Sequence, residues 1–215
     1  MDSNALIVFV DGADGVGKSS VIDAIVKNLF SENLKITTTH LIKHTEVGES
    51  FYTNWINGEF SDFNAALIML GVTCGTLENL EKISSRYDII LVDRSQASFF
   101  AYQISNSKNK ECLLTAFKET LNNSFYSNCR YINVNMYCDP KVARERMLLS
   151  RNSLDAIESK GVEYQKKIIE SYQECFNTFE KLSPDLTINT GEIDKHEAGK
   201  IVTDYILSFM RLGTK

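Results

Sequence analysis

The apolar run Leu6-Ile7-Val8-Phe9-Val10 leads directly into Asp11-Gly12-Ala13-Asp14-Gly15-Val16-Gly17-Lys18-Ser19-Ser20. Val21, Ile22, Ile25, Val26 and Leu29 follow at helical spacing. The first run reads as a buried strand and the last as an amphipathic helix. The glycines between them fill the pattern G-x-x-x-x-G-K-[ST] at every fixed place. Such a loop points backbone N–H groups and the positive end of a helix at one spot, which suits a polyphosphate. Gly12 and Gly17 permit the tight turn and close approach. Lys18 can reach β- and γ-phosphates, and the Ser19 hydroxyl can ligate Mg²⁺.

The rest of the chain repeats this alternation. Strands are expected at 5–10, 35–40, 87–92, 130–137 and 185–189, with helical patterns between them. That order implies a parallel sheet covered by helices on both faces. Region 45–85 reads as two helices broken at Asn57-Gly58. The second carries Ala65, Ala66, Gly71 and Gly75, small residues that serve either packing within the chain or a second copy. Residues 104–127 are mostly polar, with an apolar stripe at Leu113, Leu114, Phe117 and Leu121, and read as a peripheral helix. Stripes at Tyr164, Ile168, Tyr172, Cys175, Phe176 and Phe179, and at Ala198, Ile201, Val202, Tyr205, Ile206 and Phe209, mark two core-facing helices. Pro140 suits a first helical turn.

Composition narrows the function. The 215 residues suggest one compact domain, and a net charge of −5 does not suggest broad nucleic-acid binding. No signal peptide is visible, and no apolar stretch approaches the ~20 residues of a membrane span. Five cysteines without C-x-x-C pairing suggest reduced thiols and a cytoplasmic protein. His40, His44 and His196 offer no closed zinc set.

The third strand ends in Asp93-Arg94. Ligands of parallel sheets bind at the carboxyl ends of strands, so Asp93 should face the phosphate loop and hold Mg²⁺ or its waters. Arg94 beside it can take a second phosphate. Further on, Arg144, Arg146 and Arg151 cluster after Pro140. Positions 144 and 146 diverge on a helix, so a loop is expected to gather them over a triphosphate. Together these parts imply phosphoryl transfer from a triphosphate to a small acceptor.

The chain resembles the thymidylate kinase family along essentially its whole length. The resemblance rests on Asp11 to Ser20, on Asp93-Arg94 with Ser98 and Ala101-Tyr102-Gln103, and on Arg144-Glu145-Arg146, Ser150-Arg151 and Leu154-Asp155. Tyr164 and Tyr172-Gln173-Glu174 follow them. It implies a P-loop NTPase fold of the nucleoside monophosphate kinase type: a single α/β domain, a five-stranded parallel sheet and a lid at about 144–158.

The resemblance also implies roles. ATP would be held by Gly12, Asp14, Gly15, Val16, Gly17, Lys18, Ser19, Ser20 and Arg144. The acceptor, dTMP or a related pyrimidine monophosphate such as dUMP, would meet Asp14, Lys43, Met69, Thr73, Arg94, Ser98, Tyr102 and Gln103. Asp14 matches a contact to the 3′-hydroxyl, and Tyr102 an aromatic residue near the sugar. Ser98 and Gln103 match positions that read the base. Lys18, Lys43, Arg94 and Arg151 would carry catalysis, with Mg²⁺ at Ser19 and Asp93. Gly15 stands where some members carry an arginine, so this chain looks like the subtype with its arginine, Arg151, in the lid. Three positions depart from the pattern: Lys43 for an arginine, Met69 for a phenylalanine under the base, and Thr73 for an arginine to a base oxygen. They imply altered base recognition. The family's homodimers use the helix near 63–80. The competing readings are a deoxynucleoside kinase, since Asp93-Arg94-Ser95 also resembles that family's motif, and an ATPase switch.

Overall fold

The computed structural model describes residues 5–150 and 160–212. Five strands, β1 (Leu6–Asp11), β2 (Ile36–His40), β3 (Ile89–Asp93), β4 (Arg130–Tyr137) and β5 (Leu186–Asn189), form one sheet in the order β2-β3-β1-β4-β5. Every pairing is parallel. Each strand runs within two residues of its expected span.

Side chains alternate between the faces of β1. Leu6, Val8 and Val10 join the larger apolar core, while Ile7 and Phe9 enter a second one with Leu77, Leu80 and Phe125. A central strand buried on both faces must read as a continuous apolar run, which is why β1 was easy to find.

Helix α1 (Lys18–Leu29) leaves the glycine loop and packs against α9 (Lys195–Leu212). Helices α2 (Glu46–Ile56) and α3 (Asp62–Ile83) flank the break at Asn57-Gly58. Thr45 and Ser61 cap them, their hydroxyls accepting from the N–H of Gly48 and Asn64. The stretch Asp62–Arg86 is long and apolar enough to cross a membrane by length and composition alone. That corrects the expectation of no such stretch: polar residues interrupt the run by eye without lowering its average below that of a span. Its buried face includes Ala65, Met69 and Leu77.

Beyond β3, a short helix α4 (Gln96–Phe99) passes into a π-helical turn over Phe100–Ile104, closed by Ser105 N–H donating to the Phe100 carbonyl at 3.0 Å. The expected peripheral helix at 104–127 is instead two, α5 (Lys110–Thr120) and α6 (Phe125–Asn128). It is also less peripheral than its composition suggests. Phe117 is fully buried, stacked on Phe99 at 5.8 Å and edge-on to Phe179 at 5.3 Å. Helices α7 (Pro140–Ser150) and α8 (Val162–Thr178) flank residues 151–159.

Candidate active site

The carboxyl ends of β1, β2 and β3 open into a cavity of about 800 Å³. Its wall brings together Asp14, Gly15, Gly17, Lys18, Ser19, Ser20, Lys43, Met69, Thr73, Asp93, Arg94, Ser98, Tyr102 and Gln103, all expected from sequence. Gly12 and Val16, also expected to hold ATP, are not in the wall: both are buried, Val16 in the larger core. Arg151 lies outside the described residues, as does most of the expected lid.

The loop needs its glycines for definite reasons. Gly12 has φ +142°, and a Cβ there would sit 2.2 Å from the Met136 carbonyl oxygen. At Gly15, φ is +80° and a Cβ would meet the Ala143 carbonyl oxygen at 2.3 Å. An arginine at that position is therefore excluded by the backbone of α7. Lys18 lies in the loop's hollow, its Nζ donating to the carbonyls of Gly12 at 2.9 Å and Ala13 at 3.1 Å. Burial, and then Arg94 close by, lower its pKa to about 8.

Ser19 and Asp93 approach as expected, with 3.5 Å between the Ser19 hydroxyl and one Asp93 oxygen. The other oxygen, Oδ1, is buried and accepts no hydrogen bond from the described residues. A carboxylate with an unspent oxygen beside a loop hydroxyl fits a hard cation or its waters.

Arg94 has a left-handed backbone, φ +75°, rare for a residue with a Cβ. The turn aims its guanidinium at Asp14, with which it forms an ion pair, and over the Tyr102 ring at 5.1 Å. Tyr102 Oη donates to the second Asp14 oxygen at 2.8 Å. Burial pushes the Asp14 carboxyl up, but Arg94 and Lys18 outweigh it and hold it at about 2. Asp14 is thus a fixed anion. Tyr102 reaches it from the π-helical turn.

Beneath this lies a buried network that sequence reasoning missed. Asp11 accepts from the Ser95 N–H at 3.0 Å and the Ser98 hydroxyl at 2.7 Å. Ser98 also meets the Tyr172 hydroxyl at 2.5 Å, and Tyr172 lies 3.3 Å from the Gly12 carbonyl. The Ser98 hydroxyl, expected to read the base, is committed to Asp11, Tyr172 and, at 3.5 Å, Arg94. Thr73 likewise gives its proton to the Leu70 carbonyl at 2.9 Å, leaving only acceptor capacity. Gln103 faces the cavity with no hydrogen bond among the described residues.

The arginines after Pro140 differ from expectation. Residues 140–150 are a continuous helix, so Arg144 and Arg146 diverge, and no loop gathers them there. Arg146 lines the cavity and donates to the Thr190 carbonyl at 2.8 Å, whereas Arg144 is not in the cavity wall. Further lining residues that carried no sequence signal are His40, Tyr52 and Trp55.

A family model described as thymidylate kinase matches residues 10–191. The chain belongs to the thymidylate kinase family. A thymidylate kinase of Campylobacter hominis is 29% identical over 199 residues, covering 88% of this chain and 96% of that protein. One from Exiguobacterium is 22% identical over 210 residues, covering 96% and 94%. Among solved structures, thymidylate kinase from Candida albicans has a similar fold, with a TM-score of 0.68, 15% identity and coverage of 96% and 93%. The chain is thus built as a nucleoside monophosphate kinase, and the family match spans the phosphate loop and the Arg94–Asp14–Tyr102 cluster.

Proposed function

We propose that this chain transfers the γ-phosphoryl group of ATP to dTMP, giving ADP and dTDP, a step toward dTTP. The observation that carries the reading is one cavity holding both a phosphate loop and the Arg94–Asp14–Tyr102 cluster, in a member of the thymidylate kinase family. A phosphate oxygen of dTMP attacks the γ-phosphorus while the bond to the β–γ bridging oxygen breaks, and ADP leaves. The chain's task is to align two anions and neutralise them. Lys18 and the loop N–H groups hold the ATP phosphates. Arg94 and Lys43 hold the acceptor phosphate, and Arg94 is kept in place by Asp14 and Ser98. Asp14 and Tyr102 border the acceptor sugar. Ser19 and Asp93 would hold Mg²⁺, which spreads the charge of the β- and γ-phosphates.

The lid at about 144–158 belongs to the same single domain and brings Arg151 to the transferred group, a role Gly15 cannot fill because no side chain fits there. Base reading falls to Met69 and Gln103 rather than Ser98. Met69 can pack on a ring through its sulfur. With the Thr73 proton spent inside α3, dUMP and 5-substituted pyrimidines are accepted beside dTMP. We read the protein as cytoplasmic and without a nucleic-acid partner.

Association through α3 completes the proposal. Gly71 and Gly75 face open space, so they do not serve packing within the chain. They line a groove with Val47, Leu67 and Ile68, of which Val47 is 72% exposed. A homodimer there would cover this apolar surface.

The test is a panel of acceptors with Mg·ATP: dTMP, dUMP, a 5-substituted dUMP, dCMP and thymidine. Formation of ADP and dTDP is expected. No turnover with any pyrimidine monophosphate sinks the proposal, and preference for thymidine over dTMP would make the chain a nucleoside kinase.

A further inference from the structure

His40 ends β2 and lies directly opposite Asp93 in the parallel register, one residue from Arg94. Its ring lines the cavity. Nδ1 faces the chain that follows, accepting from the N–H of Ile42 at 3.1 Å and of Lys43 at 3.3 Å. A nitrogen that accepts two backbone N–H groups carries no proton, so the neutral ring must hold its proton on Nε2. Among the described residues Nε2 has no partner. The Tyr52 ring ties His40 to Lys43: it stands edge-on to the imidazole at 6.4 Å and carries the Lys43 ammonium at 4.0 Å over its face.

A neutral donor with a locked tautomer therefore stands in a corner of the cavity between two cations assigned to one phosphate. We propose that His40 binds the acceptor's phosphate, donating Nε2–H to a phosphate oxygen alongside Arg94 and Lys43. This rests on the kinase reading above for what the acceptor is. Lys43 supplies charge without the planar fork of an arginine, and the imidazole adds the direction that the ammonium lacks.

Two variants separate the ring's ends. His40→Asn keeps an acceptor near Nδ1 for the turn and removes the distal donor. His40→Gln extends a donor toward the position of Nε2. In calorimetric titrations, His40→Asn should bind dTMP about tenfold more weakly, the scale of one hydrogen bond to a charged group. Its affinity for thymidine should stay within about twofold, because thymidine lacks the phosphate. His40→Gln should recover most of the dTMP affinity. Equal weakening for both ligands, or none for dTMP, overturns the assignment.

Nitrogen-15 NMR of the wild-type imidazole gives a reading that does not depend on mutants folding. Nε2 should be protonated at neutral pH, and its proton should move downfield with dTMP or inorganic phosphate but not with thymidine. A proton on Nδ1, or no response to either phosphate, also overturns it. Turnover of dTMP by the same preparation is scored separately. Its absence would defeat the kinase reading while the phosphate titration still decides the role of His40.

Discussion

Lys18 illustrates how placement changes what a residue can do. Buried and close to Arg94, it holds its proton only up to about pH 8, against 10.5 for an ordinary lysine. Since the charged form binds phosphate, kcat/KM for ATP should fall as pH rises through about 8. The kcat limb should lie higher, because bound phosphates stabilise the cation. A flat profile to pH 10 would contradict this. The folded protein carries an unfavourable charged lysine below pH 8, and that cost fades as pH rises from 8 toward 10.5. Lys18→Ala should therefore be folded at least as well as the parent, by thermal melting, yet lose turnover by at least about a hundredfold. Asp14 has the opposite sign. Its carboxyl is held down at about 2, so it stabilises the fold above pH 3.8 and loses that contribution as pH falls from 3.8 toward 2. Asp14→Asn should flatten the acid limb of an unfolding curve over that window. It should also weaken acceptor binding, because Arg94 loses its partner.

At the scale of elements, the glycine loop and its flanking strand and helix were legible because each step obeys a local rule: an apolar run, fixed glycines, a 3.6-residue period. The place of Asp93 and Arg94 in the cavity wall was legible because the carboxyl ends of parallel strands border a crevice. Other features were not. The π-helical turn that presents Tyr102 depends on i→i+5 hydrogen bonding, such as that from Ser105 N–H to the Phe100 carbonyl, that no local pattern announces. The segment at 104–127 misled because its polar composition suggests the periphery, whereas the full burial of Phe117, a member of its apolar stripe, is set by Phe99 on α4 and by Phe179 just beyond α8. The hydrogen bonds of Ser98 were not legible, because nothing nearby in sequence reveals that Asp11 and Tyr172 converge on its hydroxyl. Tyr172, on α8, also touches the Gly12 carbonyl and so ties the helix after residues 151–159 to the phosphate loop. Removing that hydroxyl in Tyr172→Phe should destabilise the protein by about 1–3 kcal/mol in denaturant unfolding, since Ser98 loses a buried partner. It should raise KM for ATP more than KM for thymidine monophosphate. A variant with unchanged stability and KM would show the network to be incidental.

For the whole molecule, the proposed homodimer has one testable contact, the groove along α3. Leu67→Glu places a charge beside Gly71 in that groove, away from the catalytic cavity. Light scattering should show a dimer for the parent and a monomer for the variant, with the monomer still folded. An unchanged mass would remove α3 as the contact. The strand order has a different consequence, for how the chain comes to be made. β1 leaves the ribosome before the other strands, yet its neighbours β3 and β4 are synthesised much later. Parallel pairings over such separations form slowly, because the loop must close before any contact rewards it. A nascent chain should therefore show no grip on nucleotide until β4 has cleared the exit tunnel, although every loop residue was translated long before. Capacity to bind ATP is thus a late event in biogenesis, and nucleotide retention by stalled chains of graded length would time the closing of the sheet.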